Sequence, residues 1–409
     1  ACDLVRKVKH SAIVIAGGIH PSIAPDDAIT QEPIDIVCFS EADYVFPELV
    51  NLMEIGADYT NVKSMWFKLK NGKIKKNFVS PRVELDNLPA PDWSIFDKRH
   101  LFRPFEGKIY TGSFYQQSRG CPMQCTYCVD PALSKMSEDG SPKGYFRVND
   151  PSVTIKHIKE LINKHGVDFI RFGDDTFFLP KIEHIQELHK GIKPLNIKFT
   201  CSLYHNTVSE EKIELARDMG LVAVSVGIES GSPKVRKILR RNYTNERITK
   251  NIEILTRLGL KVSTTNLIGS PGETREDVFQ TIELNREISA TGSGVFILYP
   301  YPGTKIQKDN DIPIRNKEGK ITPLSEAKDF EFSEMPSSEV VGLVNTFNFY
   351  LHYPKKLWPI IEIAESPKEL GLALLDLLQE VSVTLLDNSN VKMESLRNIL
   401  SRRRFSFED

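Results

Sequence analysis

Three cysteines stand close together in the segment Cys121-Pro122-Met123-Gln124-Cys125-Thr126-Tyr127-Cys128. Their C-x3-C-x2-C spacing places three thiolates on one short loop, where they can approach a single soft metal centre. Thiolate is the ligand that iron–sulfur clusters require, and a cubane cluster contains four irons. Three protein ligands would leave one iron open to a small molecule, which is the arrangement of a catalytic metal rather than a closed structural one.

Close cysteines have two other common uses. A zinc knuckle requires a fourth Cys or His at close spacing, whereas the remaining cysteines are scattered at Cys2, Cys38 and Cys201. Disulfide pairing is also disfavoured, because three close cysteines cannot all pair and six cysteines in 409 residues is not a disulfide-rich composition. An iron–sulfur site is therefore the favoured interpretation, with zinc as the weaker alternative.

Length and composition set broad limits on the class of protein. A chain of 409 residues is long for one domain and predicts two or three. Hydrophobic content of 40% and charged content of 26% are ordinary for a globular protein. With 53 basic and 54 acidic side chains, no global field favours nucleic acid or an anionic membrane. No apolar run approaches the roughly 18 residues of a membrane span, and free thiols suit a cytoplasmic location.

The middle of the chain alternates short apolar runs with amphipathic segments. Asp150-Pro151 predicts a helix start, and Gly166 and Gly220 predict helix ends. The alternation predicts a parallel sheet with right-handed crossovers and a ligand at the carboxyl ends of its strands. Composition alone leaves a barrel and a doubly wound sheet both open. The predicted strands span residues 113–118, 167–172, 197–202, 222–228, 262–268 and 295–301.

The flanking regions follow other patterns. Before the alternating region we predict strands at 12–16 and 34–39, a helix at 44–55 and a hairpin around Asn71-Gly72. After it we predict helices at 334–351 and 367–386. The second of these helices carries leucines expected to pack on the alternating region, namely Leu370, Leu372, Leu374, Leu375 and Leu378.

Both ends of the chain also carry expectations. Residues 1–10 have the pattern of the C-terminal part of an amphipathic helix, which predicts a truncated start. The run Arg402-Arg403-Arg404 is expected to be a solvated end.

The cysteine array, with the aromatic Tyr127 directly before its last cysteine, resembles the signature of radical S-adenosylmethionine (SAM) enzymes. The resemblance implies an α/β fold with an open (β/α)6 partial TIM barrel. It implies a [4Fe–4S] cluster bound by Cys121, Cys125 and Cys128, with SAM on the open iron. It further implies reductive cleavage of SAM to a 5′-deoxyadenosyl radical, with a flavodoxin- or ferredoxin-type electron donor.

The same resemblance assigns strand-end residues to the SAM site. The Gly173-Asp174-Asp175 element would hold the SAM amino group, although two acids there could simply cap a turn. Glu229 would accept hydrogen bonds from the ribose hydroxyls, and the elements around Gly269 and Tyr299 would serve adenine. The residues assigned to SAM are Tyr127, Gly173, Asp174, Asp175, Glu229, Ser230, Asn266, Gly269 and Tyr299.

Gly17-Gly18-Ile19-His20-Pro21 and the later Ser40-Glu41-Ala42-Asp43 resemble the second half of a cobalamin-binding domain. There, Gly17 and Gly18 would let the backbone approach the cofactor's nucleotide tail, since a Cβ would block it. The family commonly has Gly-Glu-Gly-Glu in place of residues 40–43, and its D-x-H-x-x-G motif is absent. The resemblance implies that the full-length protein binds cobalamin. It favours methyl transfer or rearrangement on a small-molecule or lipid substrate.

The expected organisation has four parts. They are a partial cobalamin-binding, Rossmann-like domain at 1–60, a hairpin and Pro-rich linker at 61–107, a radical SAM core at 108–308 and a helical extension at 309–409. No catalytic residue is assigned beyond the cluster ligands. Two alternatives remain open: a methylthiotransferase-like RNA-modifying enzyme, for which no basic and aromatic stripe is visible, and a non-catalytic cobalamin- or cluster-binding sensor.

Overall fold

The computed structural model of the chain describes Lys7 and residues 11–288, 290–312 and 333–387. Apart from Lys7, the helix predicted at 1–10 lies outside the described residues, as does the basic run at 402–404. Within the described part of the chain, no helix is long and apolar enough to cross a membrane.

The N-terminal unit is a four-stranded sheet in the order β1-β2-β3-β4. Strands β1 and β2 are parallel, as predicted, and β3 adds antiparallel to β2 through the pair Val37 and Trp66. The predicted hairpin is therefore part of this sheet, whereas the sequence placed it with the linker. Three helices cover the sheet. The elements are β1 (Ile15–Ala16), α1 (Ile19–Ile23), α2 (Pro25–Thr30), β2 (Ile36–Cys38), α3 (Val45–Glu54), β3 (Met65–Lys68) and β4 (Ile74–Lys76).

The hairpin belongs to this sheet because its apolar face completes the core. Met65 and Phe67 are buried beside Leu49 of α3, and area removed from water favours this placement over a free linker. Gly72 makes the turn at φ 78°, and the Asn71 side chain accepts a hydrogen bond from the backbone amide of Lys73.

The central unit is a seven-stranded sheet in the order β13-β12-β11-β10-β9-β6-β5. Six of its strands are parallel, which confirms the predicted open barrel, and β5 adds antiparallel at one edge. The strands are β5 (Phe102–Phe105), β6 (Lys108–Tyr115), β7 (Ser118–Arg119), β8 (Arg147–Val148), β9 (Phe169–Phe172), β10 (Lys198–Leu203), β11 (Leu221–Glu229), β12 (Lys261–Ile268) and β13 (Gly292–Ile297).

Helices follow the strands and cover the outer face of the curled sheet. Asp150 caps α5 by accepting the amide of Ser152, and Gly166 and Gly220 end helices at positive φ, as predicted. The helices are α4 (Asp130–Leu133), α5 (Pro151–His165), α6 (Ile182–Ile192), α7 (Glu210–Met219), α8 (Pro233–Ile238), α9 (Asn245–Arg257), α10 (Arg275–Ile288), α11 (Lys305–Asp309), α12 (Ser337–His352), α13 (Trp358–Ala364) and α14 (Glu369–Asp387).

The first and the last barrel strands differ most from the prediction, because they span Lys108–Tyr115 and Gly292–Ile297 rather than residues 113–118 and 295–301. The first barrel strand ends at Tyr115 rather than at residue 118, and Ser118–Arg119 pairs instead with Arg147–Val148. The last strand begins at Gly292 rather than at residue 295, because residues 292–294 pair with β12. Gly292, Ser293 and Gly294 are residue types that locally favour a turn. They form a strand because β12 supplies hydrogen-bond partners for their backbone groups.

The C-terminal helices pack against α10 and β13. The sequence predicts this packing only in part. Leu375 and Leu378 contact the cluster that contains Ile268 of β12. Leu370 and Leu372 are 47% and 51% exposed, so the expected leucine stripe does not pack as a whole. Leu377 and Val381 are buried instead. The sequence pattern does not predict α13, which is too short to show a helical period.

Candidate active site

The cysteine loop leaves the carboxyl end of the barrel directly after β7. Gly120 starts it at φ 85°, and a Cβ there would lie 2.6 Å from the carbonyl oxygen of Tyr145, so only glycine fits. Thr126 fixes the middle of the loop, because its amide donates to the Leu239 carbonyl at 3.2 Å and its hydroxyl donates to the Ile238 carbonyl at 2.9 Å. The loop is therefore held against the end of α8.

The three thiols lie in a largely dry environment. Cys125 is 5% exposed, and Cys121 and Cys128 are half-buried. Burial raises the pKa of Cys121 to about 12 and raises that of Cys128 as well, and the negative charge of Asp130 adds to both shifts. The Asp130 amide donates to Cys128 Sγ at 3.5 Å. Thiolates at these positions would require a positive centre, as a metal cluster provides.

Within the described residues, no three His, Cys, Asp or Glu side chains are arranged to hold one metal ion together. In a cubane cluster, each thiolate binds a different iron and the sulfurs need not converge on one point. The donor set of Cys121, Cys125 and Cys128, on one buried loop, fits such a cluster better than a preformed site for a single ion.

A buried ion pair connects this loop to the end of β11. Arg241 is 8% exposed, and its Nη2 lies 2.7 Å from Glu229 Oε1. Its Nη1 donates to Cys125 Sγ at 3.6 Å, and its guanidinium lies 4.8 Å from the ring centre of Tyr204. Tyr127 donates its hydroxyl to the same Glu229 oxygen at 2.9 Å. The network thus joins two predicted site residues, Glu229 and Tyr127, to the thiol of Cys125.

Arg241 is absent from the residues predicted from the sequence. It follows another arginine between α8 and α9, and no local pattern shows which of the two is buried. The available signal is Gly227, because a Cβ there would lie 2.3 Å from both Arg241 Nη2 and Glu229 Oε1. A glycine two residues before the end of a buried strand indicates that a side chain crosses the backbone there.

The two acids of the Gly173-Asp174-Asp175 element have different environments. Asp174 is 2% exposed and accepts hydrogen bonds from the Ser118 hydroxyl and the Gln117 amide, and burial raises its pKa to about 7. Asp175 borders an open cleft, where the cleft walls and the charge of Asp130 raise its pKa to about 6. Asp175 is therefore the acid of this pair that faces a space where a ligand could bind.

Gly173 itself is required by packing. The ring of Phe114 lies across it, and a Cβ would meet that ring at 1.8 Å. The carbonyl of Gly173 accepts the Gln116 side-chain amide at 3.0 Å.

Two other predicted residues have their polar groups engaged within the protein. Ser230 is fully buried, with its hydroxyl 3.2 Å from that of Thr281. Asn266 is also fully buried, donates to the Ser293 hydroxyl at 3.0 Å and accepts from the Asn285 amide at 2.8 Å. Both side chains therefore lie between the sheet and α10.

The loop after β12 is closed by a carboxylate. The amides of Gly269 and Ser270 donate to Glu273 Oε2 at 2.6 and 3.0 Å, and burial raises the pKa of Glu273 to about 7. After β13, Tyr299 is 8% exposed and its ring lies 4.7 Å from that of Tyr301. Burial raises the pKa of Tyr299, with smaller effects from Tyr301 and from Asp27 of the N-terminal unit.

A cleft of about 530 Å³ separates the N-terminal sheet from the cysteine loop. Gly18 lies at its rim with φ 100°, and Gly17 lies beside Cys38 on β2. The cleft is lined by both units. The lining residues include Gly18, Ile19, Ser22, Ser40 and Glu41 of the N-terminal unit and Gly120, Cys128, Asp130, Arg147 and Asp175 of the central unit.

The sequence model of the radical SAM superfamily matches residues 115–284, which run from the end of β6 into α10. The chain contains a radical SAM domain. A protein of Pyrococcus horikoshii named as an uncharacterized methyltransferase is 27% identical over 308 residues, 74% of this chain and 64% of that protein. The anaerobic magnesium-protoporphyrin IX monomethyl ester cyclase of Rubrivivax gelatinosus is 25% identical over 313 residues, 73% of this chain and 53% of that protein.

The fold extends beyond the radical SAM domain. The structure of OxsB, described as a cobalamin-dependent S-adenosylmethionine radical enzyme, aligns with a TM-score of 0.63 at 14% identity, covering 94% of this chain and 61% of that one. At this identity the alignment establishes the fold alone. The chain spans between about half and two thirds of the length of these relatives.

Two bidentate ion pairs hold the N-terminal unit against the radical SAM domain. Arg119 donates to both oxygens of Asp43 at 2.7 and 2.9 Å, and Arg147 donates to both oxygens of Glu41. Burial opposes ionisation of Glu41, but the hydrogen bond from Arg147 lowers its pKa. Because Arg119 directly precedes the cysteine loop, these contacts fix the loop relative to the cleft. Ser40, where the family commonly has glycine, has a φ of 67°.

Asp277 of α10 is expected to make the stability of the radical SAM domain depend on acid pH. Burial alone would raise its pKa, but hydrogen bonds from Ser232, Thr274 and Lys234 lower it from 3.8 to about 2. The ionised carboxylate therefore stabilises the fold above pH 3.8 and loses that contribution as pH falls through 2. We expect Asp277→Asn to lower the free energy of unfolding by about 2 kcal/mol at pH 7 and by about half as much at pH 3.

Chemical denaturation at the two pH values measures this difference. Asp376→Asn, at an exposed position on α14, is the control and is expected to change little at either pH. An equal loss for Asp277→Asn at pH 7 and pH 3 would show that the effect comes from packing rather than from the charge.

Proposed function

We propose that the full-length protein is a radical SAM enzyme whose [4Fe–4S] cluster is bound by Cys121, Cys125 and Cys128. When bound, such a cluster would supply the electron for reductive cleavage of SAM to a 5′-deoxyadenosyl radical. One observation carries the proposal: the three thiols share a buried loop at the carboxyl end of the parallel barrel, beside an open cleft. Carboxyl ends of parallel strands are where α/β barrels bind their ligands.

The chain's own residues would bind and orient SAM. Its ammonium group needs hydrogen-bond acceptors only, and Asp175 presents a carboxylate to the cleft. The Glu229 carboxylate is held at the end of β11 by Arg241 and Tyr127, with its second oxygen left for a ribose hydroxyl. The engaged side chains of Asp174, Ser230 and Asn266 would act through the backbone they fix.

Cobalamin is the second proposed cofactor. Gly18 and Ser40 line the cleft together with Gly120 and Cys128 of the cysteine loop, so a molecule bound there would contact both units. Gly18 has open space where a Cβ would stand, which allows a ligand close to the backbone. Relatives named as methyltransferase and as cobalamin-dependent enzyme support methyl transfer or rearrangement on a small-molecule or lipid substrate. We place the protein in the cytoplasm, with a flavodoxin- or ferredoxin-type donor.

Anaerobic reconstitution tests the proposal. We expect the chain, loaded with iron and sulfide and treated with SAM and dithionite, to produce 5′-deoxyadenosine. A sensor would bind SAM without cleaving it, so SAM binding without 5′-deoxyadenosine would overturn the enzymatic assignment. Adding hydroxocobalamin and recording the visible spectrum after desalting tests the second cofactor, and loss of the cobalamin bands would contradict that part alone.

A further inference from the structure

Strand β9 presents a charged residue to the inner, concave face of the barrel. Ile170 and Phe172 are buried in the core beneath the helices, so Arg171 between them points to the opposite face, where it is exposed. Its neighbours in register are Phe114 on β6 and Thr200 on β10. Across the described residues, the Arg171 guanidinium has neither an ion-pair nor a hydrogen-bond partner.

Hydroxyl groups continue this face across the next three strands. The alternation that exposes Arg171 also brings to the inner side, at partly or fully exposed positions, Thr200, Ser202, Ser225, Ser263 and Thr265. In the part of the chain that the structure describes, none of these hydroxyls donates to or accepts from another side chain. The inner face is thus a polar surface whose hydrogen-bonding capacity is unused by the protein.

The outer face of the same strands behaves differently. Thr264 donates to the side chain of Asn285 at 2.9 Å, and Asn266 bonds both Ser293 and Asn285. Polar groups that serve only the fold are therefore paired with one another on this sheet, as buried polar groups generally are. The contrast indicates that the inner groups serve a ligand.

Aromatic side chains cover the inner face at the amino ends of β9 and β10. The ring of Phe169 lies 5.5 Å from that of Phe105 and 5.3 Å from that of Tyr110, and Lys198 donates to the Tyr110 hydroxyl at 3.1 Å. At the start of β12, the Lys261 ammonium lies 3.4 Å from a carboxylate oxygen of Glu106, which is in the turn between β5 and β6. These contacts cover the inner face at the amino ends of β9 and β10 and leave the side of the cysteine loop open to a ligand.

The charge of this surface is positive. Arg171 and Lys198 both lie on it. On strands β9 to β12, no inner-face residue before the carboxyl end of its strand is acidic. At the strand ends, Glu229 is paired with Arg241 and Asp175 faces the cleft. An oxyanion would gain a bidentate contact with the free guanidinium, while a cation would be repelled.

Two phenylalanines provide an apolar rim on the same face. Phe114 is 43% exposed on β6, and Phe296, in register with Leu267, is 57% exposed on β13. They lie on the first and the last parallel strands of the sheet. Phe114 is the one in register with Arg171, so an apolar group of a ligand held there would cover its ring.

We propose that this inner face binds the substrate through a carboxylate or phosphate group held by Arg171 and the surrounding hydroxyls. The apolar body of the substrate then lies against Phe114, the neighbour of Arg171 in register on β6. The inference rests on the proposed function, since it places the anionic substrate below the SAM site of a radical SAM enzyme. It adds the substrate's chemical class, an amphiphilic oxyanion, to the assignment of the cofactors.

Calorimetric titration of the reconstituted chain, saturated with SAM, tests the proposal. The probes are octanoate and octyl phosphate, with octanol as the neutral control. We expect at least one of the two anions to bind more tightly than octanol. Arg171→Met should weaken that binding by about tenfold or more, the loss typical of a charged hydrogen bond. Arg171→Lys should recover part of it, because lysine keeps the charge but lacks the bidentate fork.

The controls separate the possible outcomes. Arg217→Met, an exposed change on α7, should leave binding unchanged. Tight binding of octyl phosphate alone identifies the group as phosphate, and tight binding of octanoate alone identifies it as carboxylate. If neither anion exceeds octanol, or if Arg171→Met weakens SAM binding instead, the inference is overturned. Formation of 5′-deoxyadenosine by the same preparation would show that the proposed function survives that failure.

Discussion

Replacing Cys121, Cys125 and Cys128 together with alanine is expected to abolish both the visible iron–sulfur absorbance and the formation of 5′-deoxyadenosine. These are the three cysteines of the described chain that share one loop, and iron–sulfur clusters depend on thiolate ligands. The fold should survive, because Cys121 and Cys128 are half-buried and alanine fits the space of each thiol. Iron content, absorbance and product formation after anaerobic reconstitution measure the effect.

The matched control uses the cysteines elsewhere in the described chain. Cys38 lies on β2 and Cys201 on β10, both buried and away from the loop. Burial raises the pKa of each, so both are expected to remain protonated and inert. Cys38→Ala and Cys201→Ala should keep the full iron content. Retention of the cluster by the triple variant, or its loss in either control, would contradict the assignment of the ligands.

Arg241→Met is expected to cause the largest loss of stability. It removes a buried cation and leaves Glu229 charged and unpaired, which typically costs about 3–5 kcal/mol. The Tyr127 hydroxyl at 2.9 Å would remain as a partner, but it carries no charge. The same change removes the donor 3.6 Å from Cys125 Sγ, so the reduction potential of the reconstituted cluster should fall. Chemical denaturation and a redox titration measure the two effects.

Two further variants define the cause. Arg257→Met breaks an ion pair whose side chains are 61% and 49% exposed, so it should change stability little. The double variant Arg241→Met/Glu229→Gln removes the uncompensated charge and should recover much of the loss caused by Arg241→Met. Equal losses for the single and the double variant would show that packing of the guanidinium, rather than the buried charge, stabilises this region.

Local sequence signals accounted for much of the fold. The alternation of apolar runs predicted six parallel strands, since buried strands must be apolar and helices must repeat near 3.6 residues. Asp150, Gly166 and Gly220 end or begin helices as predicted, because caps depend on neighbouring backbone groups alone. The membership of the hairpin in the N-terminal sheet was not predictable in this way. Its partner is β2, and pairing between separate segments depends on the core they share.

The sequence alone determined the cysteine set, because C-x3-C-x2-C places three thiols on one loop whatever surrounds it. Only the tertiary structure decided which polar groups remain free to bind a ligand. Asp174 and Asn266 carry suitable atoms, but side chains that approach from other segments engage them, while Arg171 and Asp175 are left facing open space. A hydrogen bond between distant segments depends on three-dimensional proximity, and sequence spacing does not encode that proximity.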